Sequence, residues 1–316
     1  MDYYNKSKPF RIFIFFSLLL IGYSNIVIAA SDEYLFSKRG IEYVKKSDYD
    51  KAISLFDRAL KINPNLDSAY ANRGKCYLYK QQYQKALEDL NRAIELNPKN
   101  IMAYSYRGAT YNKMGNYFYG MLDINKALSL DPNYADVYAI RGYYLLMKGQ
   151  IDEAIADFTK AIELNPDLAL AYLRRGLAYK KQKKYDRAIS DYNRALTINP
   201  NYHDAYVNRG IVYTNQGQYD KALSDLNNAI DLNPMIPQAY HNRGTIYYDQ
   251  GQFDQAIAEY SKAIELNPKY GKAHGMRGWC YAQLDERDKA CADLKRACEL
   301  GICRVWNKFK KAGACD

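Results

Sequence analysis

Several residue types are scarce in this chain of 316 residues: tryptophan occurs 2 times, histidine 3 times and proline 9 times. His203, His241 and His274 stand apart, so no histidine recurs beside a candidate nucleophile. The chain also lacks a Gly-rich phosphate loop, a nucleophile elbow, an H-E-x-x-H pair and a C-x-x-C-H haem site. These absences argue against the common catalytic classes, and we expect no enzyme, no cofactor and no metal. Long apolar runs are nearly missing too, which excludes a protein that crosses a membrane many times. A content of 48% hydrophobic and 25% charged residues excludes a disordered tail. Tyrosine is the opposite case, with 33 residues, and so steep a bias suggests one short unit copied many times.

The apolar run that does occur lies at the start. Lys6, Lys8 and Arg11 precede Ile12–Ile21, a polar interruption follows at residues 22–25, and Ala29 and Ala30 stand before Asp32. A basic start, an apolar stretch of about 7–15 residues and small residues at the end make a secretory signal. Residues 1–30 are therefore expected to direct export to the periplasm or the extracellular space, with cleavage after Ala29 or Ala30. The alternative is an uncleaved membrane anchor over residues 12–30. With no cysteine in the segment, a lipoprotein anchor at its end is excluded. Loss of Asp2, Lys6, Lys8 and Arg11 lowers the net charge from +10 to +8. That mixed, mildly basic surface does not read as a nucleic-acid stripe, so no nucleic-acid partner is expected.

Proline falls at 64, 98, 132, 166, 200, 234 and 268, and an Arg-Gly pair at 39, 73, 107, 141, 175, 209, 243 and 277, each spaced by 34 residues. Such a period defines a repeat architecture. Eight copies run over 33–66, 67–100, 101–134, 135–168, 169–202, 203–236, 237–270 and 271–304. With each copy numbered from its own first residue, column 8 is always Gly, column 20 is Ala except for Gly120, and column 27 is always Ala. Mid-helix Gly costs about 1 kcal/mol relative to Ala, so its recurrence signals two helices in close approach. Apolar and aromatic residues at columns 4, 11, 17, 21, 24 and 28 have helical spacing. Asn or Asp before Pro at columns 31 and 32 ends the second helix. Gly115, Gly149, Gly217 and Gly251 at column 15 supply the turn between the two helices.

This pattern resembles the tetratricopeptide repeat family; the second copy carries it as Tyr70, Gly74, Tyr77, Ala86, Leu90, Ala93 and Pro98. The resemblance implies an all-α fold: a right-handed superhelical solenoid of stacked helical hairpins, each burying its faces against its neighbours. It further implies a concave groove lined by the first helices and used to bind peptides or protein segments. The expected organisation is a signal over 1–30, repeats over 33–304 and a C-terminal cap over 304–316.

Column 7, commonly Leu in that family, is Arg in all eight copies, and column 23 is acidic in seven. Helices that turn near column 15 bring these columns to one height. Arg73 is expected to pair with Asp89, Arg107 with Asp123, Arg141 with Asp157 and Arg175 with Asp191; pairing between adjacent copies is the alternative. By analogy with the family, columns 2, 5, 6, 9, 12 and 13 face the groove. Tyr34, Tyr79, Tyr106, Tyr143 and Tyr248, together with Lys75, Asn112, Lys113, Arg174, Lys180 and Lys181, then become its candidate contacts. Aromatic faces beside cations suit an extended peptide that carries carboxylates. The Lys and Asn clamp by which some family members grip a chaperone C-terminus is present in no copy.

Four of the 6 cysteines, Cys291, Cys298, Cys303 and Cys315, crowd the C-terminal end. In an exported chain they read as disulfides. A short segment with Val305, Trp306 and Phe309 is expected to fold back over the end of the stack. That hairpin favours nested bridges, Cys298 with Cys303 and Cys291 with Cys315, although two other connectivities and a zinc site compete. Cys76 and Cys280 lie too far apart in the stack to pair and are expected to be buried thiols. The function expected from these features is a non-catalytic scaffold that holds a protein segment in its groove. The alternative is an envelope component that works by self-assembly of the solenoid.

Overall fold

The computed structural model describes residues 32–315, so the targeting segment expected at residues 1–30 lies outside the described residues. Regular structure among the described residues is entirely helical. In chain order the helices are α1 (32–45), α2 (Tyr49–Ile62), α3 (Asp67–Tyr79), α4 (Tyr83–Leu96), α5 (Ile101–Lys113), α6 (Tyr117–Leu130), α7 (Ala135–Met147), α8 (Ile151–Leu164), α9 (Ala169–Lys181), α10 (Tyr185–Ile198), α11 (His203–Asn215), α12 (Tyr219–Leu232), α13 (Pro237–Asp249), α14 (Phe253–Leu266), α15 (Gly271–Gln283), α16 (Arg287–Glu299) and α17 (Arg304–Lys311). The chain forms two compact units, the first ending at Arg141 and the second starting at Gly142. None of the described helices is long and apolar enough to cross a membrane.

Seven of the eight second helices stop for the same local reason, the exception being α16, which is capped at Leu300 before a left-handed Gly301. The last carbonyl-side turn of the seven closes at an Asn or Asp whose side chain then accepts from the backbone N–H two residues on, as Asn97 does from Lys99 at 3.0 Å and Asn199 from Asn201 at 3.1 Å. The intervening proline has no N–H to continue the helix. Each first helix closes with a 6→1 bond, for example Gln82 N–H to Tyr77 carbonyl at 2.9 Å and Lys184 N–H to Tyr179 carbonyl at 2.9 Å, the Schellman arrangement.

That arrangement needs one left-handed residue at column 15. Gly115, Gly149, Gly217 and Gly251 adopt it, but so do Ser47, Gln81, Lys183 and Asp285, each at φ 59°. The turn is therefore imposed by the hairpin and not by glycine, and the sequence signal covered half of the cases. A side chain in that region costs about 1–2 kcal/mol. Lys183→Gly relieves this strain while giving the unfolded chain more freedom, a loss of about 0.4–1 kcal/mol. We expect a net gain of about 0.5–1 kcal/mol, read as a higher urea midpoint for Lys183→Gly and none for Lys184→Gly.

The core is layered by copy. In the first unit Ala71, Leu78, Leu90, Ala93, Ala103 and Tyr106 form one buried cluster. In the second unit Leu173, Tyr192, Ala195, Leu196, Ala205 and Val212 form its counterpart. Full burial of side chains such as Leu90 or Tyr192 contributes about 1.5–3 kcal/mol each. Column 8 glycines touch the column 24 side chain of their own copy. A Cβ on Gly74 would lie 2.7 Å from Leu90, and one on Gly176 would lie 2.6 Å from the Tyr192 ring.

Arginine at column 7 joins three helices. Arg73 donates from Nε and Nη2 to the two Asp89 oxygens, both at 2.7 Å, and from Nη1 to Asp57 of the preceding copy at 2.6 Å. Arg107 repeats this with Asp123 and Asn91, Arg175 with Asp191 and Thr159, Arg209 with Asp225 and Asn193, and Arg277 with Asp293 and Ser261. Hydrogen bonds to Asp123, opposed by burial, hold the Arg107 guanidinium above its ordinary range. The contact within a copy and the contact between copies coexist, because one guanidinium fork serves both. Column 4 tyrosines complete the arrangement. Tyr70, Tyr104, Tyr172 and Tyr206 place a ring 5.4–5.7 Å from the arginine of their own copy. Tyr138 and Tyr240 also donate from their hydroxyls to the carbonyls of Pro132 and Pro234. A ring with a polar tip is what this position uses, which accounts for tyrosine in place of phenylalanine there.

At the C-terminal end, Cys291 is joined to Cys315 and Cys298 to Cys303. α17 packs on α16, and its Phe309 ring meets Trp279 of α15 edge-on at 5.7 Å. It thus occupies the place of one further first helix. Cys76 and Cys280 are buried thiols, and burial pushes each up to about 12, which leaves them unreactive at neutral pH.

Candidate functional site

The first-helix face is built from contacts between a residue at column 9 or 12 of one copy and a residue at column 6 of the next. In the first unit the Lys75 ammonium lies 4.8 Å from the Tyr106 ring centre. In the second unit the Arg174 guanidinium lies 4.4 Å from the Tyr143 ring centre. Also in the second unit, Lys180 donates from Nζ to Asn208 Oδ1 at 2.7 Å, and Asn208 donates back to the Asp204 carbonyl at 2.8 Å. Successive first helices stand side by side, so their variable positions meet in pairs and make one continuous polar and aromatic floor within each unit.

Electrostatically the floor is cationic. Burial lowers Lys75, with Asp136 acting in the opposite direction. Burial, reinforced by Lys181, brings Lys180 down to about 8. The charged neighbour of Lys180 is thus another lysine, and its hydrogen-bond partner is a neutral amide. A half-buried ammonium held this way favours an added anion, since a carboxylate would offset much of the desolvation cost.

The other candidates separate into different places. Tyr34 is 69% exposed on α1, and Lys113 and Lys181 are exposed at the last turns of α5 and α9. Tyr106 is a correction to the expectation of an exposed contact: it is 8% exposed and supports Lys75 with its ring face, because the next hairpin closes over it. Asn112 is a second correction. Its Oδ1 is buried without a hydrogen-bond partner and points toward Gly120 of the second helix, away from the groove. Tyr79 stacks on Tyr49 at 5.2 Å and Tyr248 packs on Phe253 at 5.7 Å. Both partners open second helices, so these tyrosines line the hairpin-turn edge and not the groove. Column 13 and part of column 12 therefore leave the floor as the helix winds toward its turn.

Two residues of this face escaped the sequence reading. Asn208 belongs to a facing column but carries neither ring nor charge, and its importance comes from Lys180 in the preceding copy. His241 lies between the Tyr260 and Tyr270 rings at 5.4 and 5.1 Å, and burial, with Lys272 adding to it, lowers it to about 4. It is neutral at physiological pH and acts as a packing side chain.

Among the described residues, no group of three or more His, Cys, Asp or Glu side chains is placed to hold a metal ion. Surface hollows of about 270 Å³ beside Gly251–Gln255 and of about 260 Å³ beside Arg39 and Tyr43 are smaller than a typical small-molecule pocket and lie away from the cationic floor. An elongated ligand that lies across several copies fits this surface better than a compact one.

Comparison with known proteins agrees with the geometry as to fold. The tetratricopeptide repeat family matches residues 68–100, 124–156, 169–202, 191–224, 237–270 and 271–300, and the family described as TPR repeat matches 40–81, 142–183 and 210–251. No curated protein matches the sequence significantly. Among solved structures, the human IFIT1 dimer with PPP-AAAA is similar at 19% identity and a TM-score of 0.66, over 85% of this chain and 73% of that one. A tetratricopeptide repeat protein from Parabacteroides merdae is similar at 20% identity and a TM-score of 0.54, over 79% of this chain and 99% of that one. At such identities the structures speak for the fold, a solenoid of helical repeats. The matched segments cover most of the repeats read from the 34-residue period, and the chain belongs to the tetratricopeptide repeat family.

Proposed function

We propose that this protein is a non-catalytic scaffold, exported to the periplasm or the extracellular space, that holds an extended acidic protein segment on its first-helix face. The observation that carries the reading is Lys180, a half-buried ammonium whose near neighbours are an amide and a second lysine. Placing a cation there costs stability, and other copies fill the same column with Leu78 or Leu146. A ligand carboxylate supplies the compensation. Arg174, laid over Tyr143, offers a second cation to the same chain direction.

Partner capture by crosslinking and pull-down, with wild type and the Tyr143→Ala/Arg174→Ala double variant, tests this reading. Loss of the partners from the double variant supports it, whereas equal recovery from both favours self-assembly of the solenoid. Because IFIT1 is solved with PPP-AAAA, that ligand is included as a competitor; displacement of the protein partner by PPP-AAAA would move the assignment to an oligonucleotide.

The pH dependence has a defined sign. Lys180 is protonated below about 8, so capture of an acidic segment is expected to weaken as pH rises through that value. Stability moves the other way. The unfolded state binds the proton more tightly, so the desolvation cost is full below about 8 and fades as pH rises toward the ordinary lysine value. Lys180→Leu is therefore expected to raise the urea midpoint at pH 7 and to lower capture, with both differences shrinking at pH above about 10.

A further inference from the structure

One helix breaks the surface pattern of its seven counterparts. Columns 18, 19 and 22 of the second helix are occupied by Asp220, Lys221 and Ser224 in the sixth copy and by similar small or polar residues elsewhere, but by Phe118, Tyr119 and Leu122 in α6. All three are well exposed, at 76%, 56% and 58%, and Met114 and Tyr117 beside them are 42% and 43% exposed. In other copies the column 19 cation covers the column 11 tyrosine, as Lys221 covers Tyr213 at 5.5 Å. In α6 Tyr119 takes that place, 5.7 Å from Tyr111, and Phe118 meets Tyr119 edge-on at 5.5 Å. The result is an aromatic corner where α5 turns into α6.

Its electrostatics are one-sided. The carboxylate of α6, Asp123, is 5% exposed and held by Arg107, so the exposed face of this helix carries no acid. Lys113 before the turn and Lys126 two turns along are both exposed. Apolar side chains with a basic fringe are suited to an anionic, partly apolar surface. Charge argues against a second copy of this chain, which has a net charge of +10 and would bring a like-charged surface to the same lysines. An interface helix needs no more than one such face sunk about 5–10 Å into a bilayer boundary.

We propose that Phe118, Tyr119 and Leu122 form a membrane-contact site that seats the α5–α6 corner on the surface of an anionic bilayer. The rings and the leucine enter the headgroup boundary, and Lys113 and Lys126 meet lipid phosphates. This site is on the second helix and leaves the cationic first-helix floor available.

The test uses the full chain with phosphatidylcholine vesicles, with and without phosphatidylglycerol. Phe118→Trp places an indole in the corner; its emission, after subtraction of the wild-type signal from Trp279 and Trp306, is expected to shift to the blue and to be quenched by brominated lipid when phosphatidylglycerol is present. This readout is local, so residues 1–31 cannot supply it. The variant Phe118→Asp/Tyr119→Lys/Leu122→Ser restores the residues of the sixth copy and is expected to fold with an unchanged melting temperature. It is expected to lower vesicle partitioning about tenfold or more. Unchanged indole emission with phosphatidylglycerol vesicles would overturn the proposal. So would self-association in sedimentation equilibrium that the triple variant abolishes.

Discussion

Asp225→Ala is expected to destabilise the second unit by about 3–5 kcal/mol. Asp225 is 4% exposed and accepts from Arg209 Nε at 2.8 Å and Nη2 at 2.7 Å. The same guanidinium donates to Asn193 of the preceding copy and lies 5.6 Å from the Tyr206 ring centre. Removal of the carboxylate leaves a charge that is mostly buried, anchored on three sides and no longer neutralised. Substitution of both partners removes that penalty, so Arg209→Leu/Asp225→Leu is expected to lose less than half as much as Asp225→Ala. Urea denaturation of wild type and these two variants checks the ranking, and adding Arg209→Leu and Asp225→Leu closes the cycle that gives the coupling. Equal losses in the single and double variants would show that the pair contributes packing alone.

The second large effect concerns one substitution in one column with two outcomes. Gly108→Ala is expected to cost about 2–3 kcal/mol, because its Cβ would stand 2.7 Å from the carbonyl oxygen of Gly120 and 3.0 Å from Ile124. Backbone cannot step aside as a side chain can. Gly210→Ala meets Leu226 at 3.2 Å and the Ala222 carbonyl at 3.4 Å, contacts that a small rotation relieves. Here the helix-propensity gain of about 1 kcal/mol offsets much of the crowding, and a change within about 1 kcal/mol is expected. Thermal or urea unfolding of both variants checks the ranking. The cause is copy three itself: Gly120 replaces the usual alanine at column 20, and α5 and α6 approach more closely than the other pairs.

The fold was readable because every copy says the same thing. Pro98 and its six equivalents, the Arg-Gly pairs and the invariant column 27 alanines act through local chemistry, and local chemistry is carried by residue type alone. The column 7 and column 23 charges were readable for a related reason, since a shared period places them at one height. Readability failed where a neighbour decides. Lys183 and Gln81 do not announce a left-handed turn, yet the hairpin closure holds both there. Tyr106 reads as a free aromatic until the adjoining copy buries it, and Tyr79 reads as a groove residue until Tyr49 claims its ring.

The sequence by itself determined the period, the helix boundaries, the Gly and Ala contact columns and the excess of tyrosine, all of which follow from short-range backbone preference and repetition. Only the tertiary structure decided which tyrosines face solvent, that one arginine fork bonds both its own copy and the preceding one, and that Lys180 meets Asn208. The physical reason is the stack. A repeat sets what each helix can bury, but a side chain's surroundings are completed by the next copy, and copies that share a scaffold differ in the residues that meet across it.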